Sequence, residues 1–182
     1  MASGEVSNLM RKPRVLVDGA HYHVTARTNR KEMLLEPAAM KELFLGVVVR
    51  AKQKYSFRLE NFSIMGNHFH FIIQPASKEK LSSILQWIMS VFAMAWNRIH
   101  DQTGHVWGQR FFSKVIAGIA EFLHTFLYID ENPVVGGLVS RGEDWAYCGL
   151  GVRRARASNF LDNPPEELCG LLPRHFPTKA SQ

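Results

Sequence analysis

The chain has 182 residues, which is enough for one domain of ordinary size with short tails. Its hydrophobic fraction of 46% and charged fraction of 21% are typical of a globular protein that dissolves in water. No apolar run approaches the ~20 residues that cross a bilayer, and the net charge of +6 favours a polyanionic partner such as nucleic acid.

The two cysteines and the N-terminal segment indicate the compartment. Cys148 and Cys169 lack the spacing of a metal-binding pair, and two thiols cannot staple a domain of this size. The N-terminal residues also lack the apolar core of a signal peptide. We therefore expect the protein to work in a reducing interior.

The first half of the chain predicts a basic arm and four regular elements. Residues 1–14 are polar with a basic cluster around Pro13, so the arm is either solvated or in contact with phosphates. The apolar residues that follow recur with the periods of strands and helices. They predict a strand at 20–27, a helix at 37–54, and two strands at 57–65 and 67–74 that form a hairpin.

The second half predicts a further helix and strand, a last helix and a tail. The elements are a helix at 81–100, a polar loop at 101–110, a strand at 111–117 and a helix at 120–132. We expect Pro133 to stop the last helix, because the residue before a proline avoids helical geometry. The prediction is thus a folded domain at 15–147 and a basic, proline-containing, irregular tail at 148–182.

The order of these elements predicts an α+β fold. A β-α-β-β-α-β order is typical of the ferredoxin-like arrangement, a four-stranded antiparallel sheet with two helices on one face. The other face is then left for the last helix or for a ligand. Because such a fold hosts many functions, the function has to be inferred from particular residues.

The sharpest local feature is His68-Phe69-His70 on the third predicted strand. Residues two apart on a strand share a face, so both imidazoles project the same way and can bind one divalent cation. The same spacing occurs by chance on other strands. It also recurs at His21-Tyr22-His23 on the first strand, and spacing alone does not choose between the two pairs.

The last predicted helix supplies a second pair of polar residues. Tyr128 and Asn132 are four residues apart and therefore share a helical face. A phenol can act as a nucleophile, and an amide oxygen can bind a hard metal ion. The alternatives are a tyrosine at the edge of the core and an asparagine near the end of a helix.

Four segments resemble, in family order, the HUH single-tyrosine transposases, where HUH stands for histidine, hydrophobe, histidine. Residues 65–73, Met-Gly-Asn-His-Phe-His-Phe-Ile-Ile, resemble their metal-site strand. Residues 128–134, Tyr-Ile-Asp-Glu-Asn-Pro-Val, resemble the nucleophile helix of the IS200-like and REP-associated enzymes. The segment at 104–111 resembles the loop and strand-four segment of these enzymes. The segment at 22–29 resembles their first strand.

The resemblance implies that His68 and His70 are the metal pair and that Tyr128 is the nucleophile. Asn132 stands where related insertion-sequence enzymes have a polar third ligand, often glutamine. The implied cofactor is Mg²⁺ or Mn²⁺, and the implied reaction is the cutting and joining of single-stranded or hairpin DNA from repeat palindromes through a 5′-phosphotyrosine.

The resemblance further implies that the domain at 15–147 is catalytic, in a bacterial-type cytoplasm beside nucleoid DNA. Two assemblies fit it. In one, a monomer cuts in cis; in the other, a homodimer places each tyrosine in the opposite subunit's site.

Other side chains are candidates for DNA contact. They are Arg27, Arg30, Arg110, Arg153 and Arg154 for the phosphate backbone, and Trp107 and Phe111 for stacking on unpaired bases. Core packing is an equal alternative for the two aromatic residues. His124, one turn before Tyr128, either helps to deprotonate the phenol or is an ordinary helix residue. Val135 stands where many relatives carry a basic residue.

Two further functions fit parts of this pattern. A nucleic-acid-binding module of ferredoxin-like fold that has lost cutting needs neither the histidine pair nor the tyrosine. A metal-dependent phosphoesterase would use the histidines with water and leave no protein–DNA adduct. The combination of His68, His70 and Tyr128 favours the transposase.

Overall fold

The computed structural model describes residues 17–156 and 160–176, so the predicted basic arm at 1–14 lies outside the described residues. The elements follow the predicted order. They are β1 (Tyr22–Arg27), a 3-10 turn (Asn29–Lys31), α1 (Ala38–Lys54), β2 (Phe57–Ile64), β3 (His68–Pro75), α2 (Leu81–Ile99), β4 (Phe112–Val115), α3 (Ile119–Val135), a 3-10 turn (Gly142–Asp144), α4 (Gly149–Arg154) and α5 (Glu166–Cys169). Among the described helices, none is both long and apolar enough to span a bilayer.

The four strands form one antiparallel sheet in the order β2-β3-β1-β4. The two central strands are β3 and β1, and Thr25 of β1 lies opposite His70 of β3. The last strand pairs with the first, as in the split β-α-β arrangement. The prediction of a ferredoxin-like fold with an additional C-terminal helix is therefore confirmed.

The two faces of the sheet carry different residues because side chains alternate along a strand. Phe69 and Phe71 of β3 pack against Phe44 of α1 in the main core, which α1 and α2 cover. His68 and His70 project from the opposite face, which α3 covers. The sheet face opposite α1 and α2 is thus the face that carries the histidine pair.

Part of the predicted tail is folded onto α3. Leu168 of α5 and Leu172 just after it pack with Phe126 of α3 and Ile72 of β3 in a second core, whereas Val152 of α4 joins the main core. The prediction of an irregular tail is therefore wrong for 148–156 and 160–176. The apolar residues of this segment are sparse and lie among prolines. The sequence therefore shows no helical or strand periodicity there, although the segment packs against α3.

Helix α3 continues through Pro133, and the prediction that Pro133 stops it is also wrong. A proline inside a helix costs about 3 kcal/mol, because it removes one hydrogen bond and crowds the preceding turn. Here Pro133 is buried, and packing against the protein offsets that cost. The helix ends instead at Gly136 and Gly137, where Gly137 has a φ of +70° and Leu138 N–H donates to Pro133 O at 2.9 Å.

Candidate active site

His68 and His70 lie next to each other on the α3 face of β3. Their ring centroids are 5.1 Å apart and the rings are nearly perpendicular, at 86°. His70 is buried, with 5% of its surface exposed, and His68 is half-buried. The central position of β3 in the sheet fixes the backbone of both residues.

Each of these rings is held through Nδ1. His70 Nδ1 lies 3.0 Å from His23 Nε2, and His68 Nδ1 lies 2.8 Å from Asn67 Oδ1. His23 is a diagonal neighbour of His70 on the adjacent strand, since His23 pairs with Ile72. With Nδ1 engaged, Nε2 is the nitrogen of each ring that remains for a cation.

The surroundings favour the neutral form of both imidazoles. Burial is the main cause that lowers the pKa of His70 to about 3, and the nearby charges of His23, His68 and Arg27 lower it further. Burial also lowers the pKa of His68, followed by the charge of Arg27, while a hydrogen bond with Asn132 raises it. Neutral imidazole is the form that binds metal ions.

Tyr128 and Asn132 of α3 reach the histidine pair from above the sheet. The Tyr128 ring centroid is 5.5 Å from that of His70, and 48% of the tyrosine surface is exposed. Asn132 Nδ2 donates to Tyr128 O at 3.3 Å, and Asn132 lines the same cavity as His68 and His70. The structure therefore brings together His68, His70, Tyr128 and Asn132, which are far apart in the sequence.

These residues line a cavity of about 760 Å³, which we call the basic cleft. It runs between the end of β1, the first 3-10 turn, the start of β4 and α3. Its cationic lining residues are Arg27, Arg30, Lys31 and Arg110. Arg30 and Lys31 have φ values of +51° and +60°, a left-handed conformation that is uncommon for residues with a side chain and often marks functional turns.

Besides Tyr128, the basic cleft is lined by Phe112, an aromatic residue that the sequence pattern did not single out. Phe112 is 58% exposed, whereas the predicted Phe111 is 7% exposed and belongs to the main core. The two are adjacent, and neighbouring strand residues face opposite ways. That alternation was the signal that could have identified Phe112.

Several predicted residues lie away from the basic cleft. Trp107 is half-buried, and its indole N–H donates to Met89 O at 2.9 Å, so core packing accounts for most of its ring. His124 and Arg154 are exposed but do not line the cleft. The two histidines of β1 have different partners. His23 contacts His70, whereas His21 Nδ1 lies 2.7 Å from Glu60 Oε2.

Arg153 is engaged inside the protein and is not a candidate for DNA contact. Its Nη2 donates to Glu60 O at 2.9 Å and to Asp162 O at 2.7 Å. Its guanidinium also lies over the rings of Phe126 and Phe176, and burial lowers its pKa to about 10. Arg153 therefore fastens the tail to β2 and α3, which corrects its prediction as a phosphate contact.

The donor set fits a divalent cation that is weakly held. Within 17–156 and 160–176, no three His, Cys, Asp or Glu side chains are grouped so that they could hold a metal ion. Two imidazole nitrogens and one amide oxygen remain, and they leave coordination positions open for water and substrate oxygens. Such a set suits Mg²⁺ or Mn²⁺ at modest affinity better than a closed structural site.

A histidine pair on a ferredoxin-like sheet, facing a helix-borne tyrosine in a basic cleft, defines an HUH-type DNA-nicking enzyme. The family model described as IS200-like transposase matches residues 16–132. The chain belongs to this family, and the resemblance to HUH single-tyrosine transposases is confirmed.

Two solved structures are similar to the chain. One is a REP-associated tyrosine transposase bound to a REP hairpin, with a TM-score of 0.70 and 22% identity over 83% of this chain and 93% of that one. It shows the same fold. The other is a candidate transposase from Deinococcus radiodurans, with a TM-score of 0.45, which is too low to establish a common fold, and 13% identity over 71% of this chain and 98% of that one. Comparison with curated proteins gave no match.

Proposed function

We propose that this transposase cuts and rejoins single-stranded or hairpin DNA through a covalent link between Tyr128 and a 5′-phosphate. His68, His70 and Asn132 would hold a divalent cation that assists the reaction. The observation that carries the proposal is the position of the Tyr128 ring, 5.5 Å from the His70 ring within the basic cleft.

The cation site uses neutral imidazoles and an amide oxygen. When bound there, Mg²⁺ or Mn²⁺ would supply positive charge to offset the negative charge of the scissile phosphate. His23 and Asn67 hold the two rings through Nδ1, so Nε2 of each ring would be the nitrogen that binds a cation. This outer layer sets the ring orientation and the basicity of the ligands.

The covalent step exchanges one phosphoester for another. Tyr128 Oη forms a bond to phosphorus while the bond from phosphorus to the 3′-oxygen breaks. The phenol loses its proton to solvent, which reaches it because about half of Tyr128 is exposed, and the departing 3′-oxygen takes up a proton. A 3′-hydroxyl reverses the step and joins the strand, so no nucleotide cofactor is needed.

The substrate is held by charge in the basic cleft. Arg27, Arg30, Lys31 and Arg110 contact the phosphate backbone, and the exposed ring of Phe112 stacks on an unpaired base. A strand that is free to bend can bring its phosphate to Tyr128. The hairpin bound by the REP-associated relative supports hairpin DNA as the partner.

We also propose that the enzyme cuts in cis. The histidine pair and Tyr128 of one chain already meet, so no second copy is needed to complete the site. A mixture of His68→Ala and Tyr128→Phe proteins should therefore stay inactive. If the mixture regained cleavage, the tyrosine would be acting in another subunit's site.

The test of the function is adduct formation with a labelled hairpin from the chain's own genomic neighbourhood, analysed on a denaturing gel. Wild-type protein should form an adduct and cut the strand in Mg²⁺ or Mn²⁺, lose both activities in EDTA, and leave blunt duplex of the same sequence uncut. Tyr128→Phe should bind the hairpin yet form no adduct. Tyr55→Phe, which loses the same oxygen at the end of α1, is the matched control and should behave as wild type.

Each other outcome points to another function. An adduct formed by Tyr128→Phe would identify a different nucleophile. Cutting by the wild type without an adduct would favour the phosphoesterase that uses water. Binding without cutting in either cation would favour the silent nucleic-acid-binding module.

A further inference from the structure

A second cavity, of about 480 Å³, lies on the other side of the sheet from Tyr128. It is formed by α2 and by the loop that leads into β4. Its floor is apolar, with Met89, Val106 and Trp107, and its rim is polar, with Ser90 and Gln86 of α2. A cavity with an apolar floor and a few polar groups at its rim is typical of a site for a flat, polar-edged molecule.

The floor of this cavity is held in place before any ligand binds. Trp107 donates its indole N–H to Met89 O at 2.9 Å, and its ring packs 5.6 Å from that of Phe92. The loop is also tied to the end of β1, because Val106 O accepts from Asn29 N–H at 2.8 Å. A prearranged floor lowers the entropy that a ligand loses on binding.

The same loop connects this cavity to the basic cleft. Gly108 N–H donates to Arg27 O at 3.0 Å, and both Gly108 and Arg27 line the basic cleft. Arg110, a few residues further on, lines both cavities. Its side chain is exposed and makes no hydrogen bond or ion pair with a described residue, so it can hold a phosphate between the two cavities.

We propose that the cavity between α2 and the loop at 104–111 holds one unpaired base of the DNA strand whose backbone lies in the basic cleft. The inference rests on the proposed function, since it needs single-stranded DNA in that cleft. The base packs on the apolar floor, Ser90 and Gln86 hydrogen-bond to its edge, and Arg110 contacts its phosphate. Such a pocket selects the base at one position of the target, as neutral packing and a few hydrogen bonds can do.

The test combines a protein variant with a DNA variant. The probe is a fluorescent hairpin with a single-stranded flank, from the palindrome nearest the gene, and a series with one abasic site at each flank position. Binding is measured by anisotropy in EDTA, so that no strand is cut. Ser90→Trp fills the cavity from an exposed position, and Ser83→Trp, exposed on the same helix but not lining it, is the matched control.

For wild-type protein, an abasic site at one flank position should weaken binding roughly 5- to 150-fold, the scale of one stacked base. Ser90→Trp should weaken binding of the intact hairpin by a similar factor and become insensitive to that abasic site, whereas Ser83→Trp should match wild type. If all three proteins were equally sensitive to the abasic site, this inference would be overturned and the proposed function would remain. Failure of wild-type protein to bind any hairpin would overturn both.

Discussion

The two faces of the sheet differ in what they bury. The face toward α1 and α2 is filled by aromatic and aliphatic side chains such as Phe44 and Phe69. The face toward α3 buries polar groups as well, among them His70, Asp130 and His175. Successive side chains of β3 point to opposite faces of the sheet. A core residue such as Phe69 therefore lies directly between the two histidines of the site along the same strand.

The buried polar groups on the α3 face need hydrogen-bond partners, and the tail supplies one of them. Asp130 Oδ2 lies 2.7 Å from His175 Nε2, and Asp130 Oδ1 accepts from Asn61 Nδ2 at 2.9 Å. Buried polar groups without partners are costly, which explains why residues beyond the family match are packed here. Substitutions on the two faces should therefore fail in different ways.

The largest effect is expected on the apolar face. Phe44→Ala removes a fully buried ring that contacts Phe69, Phe71, Phe92 and Trp107. It should lower the free energy of unfolding by about 3–5 kcal/mol, measured by urea denaturation. Leu127→Ala, on the exposed side of α3, is the control and should change it by less than about 0.5 kcal/mol. Similar losses for both would contradict a core centred on Phe44.

On the polar face, His68→Ala should abolish chemistry and spare the fold. His68 is half-buried, and its loss removes one of the proposed cation ligands. We expect cleavage of the hairpin to fall by roughly 10²–10³-fold or more, the scale of losing electrostatic stabilisation. The urea midpoint should stay near that of wild type. Cleavage within a few-fold of wild type would exclude the histidine pair from the reaction.

The link between the tail and α3 should respond as a buried, hydrogen-bonded pair of side chains. The side chains of His175 and Asp130 are both fully buried. His175→Ala leaves Asp130 Oδ2 without its hydrogen-bond partner and should destabilise the protein by about 1–3 kcal/mol in urea denaturation. Replacing both residues by leucine should cost less than the sum of His175→Leu and Asp130→Leu made singly. Additive losses would mean that the two side chains stabilise the fold independently.

A smaller effect is expected at His23. His23→Phe keeps a ring beside His70 but removes the nitrogen bonded to His70 Nδ1. Mn²⁺ affinity, measured by electron paramagnetic resonance, should fall about 10- to 100-fold, as for other residues that orient metal ligands. Unchanged affinity would show that the position of His70 on β3 suffices to orient it. His100→Phe, at the end of α2, is the control.

The smallest expected effect is a gain in affinity for hairpin DNA. Val135 is 86% exposed and lines the basic cleft without adding charge to it. Val135→Arg should strengthen hairpin binding several-fold in low salt and steepen the salt dependence by about one phosphate contact. Leu127→Arg adds the same charge on an exposed part of α3 away from the cleft. Equal gains for both variants would indicate a general charge effect.

Periodicity predicted most of the fold, and its limits are visible at particular residues. Strand alternation correctly places Phe69 in the core and both histidines of β3 on the other face. Residue type left base stacking and core packing as equal alternatives for Phe111, and only the phase of the strand separates Phe111 in the core from the exposed Phe112. Charge alone likewise suggested Arg153 as a DNA contact, although a guanidinium can equally bind backbone oxygens inside a protein.

The sequence by itself determined the order of the elements, the family and the residue types of the site, because these depend on local patterns and on recognisable segments. The tertiary structure decided which histidine of β1 meets His70, since that depends on β1 lying beside β3 in one register. It also decided that α3 passes through Pro133 and that the tail covers α3. Both outcomes depend on burial against distant residues, which outweighs the local preference of the chain.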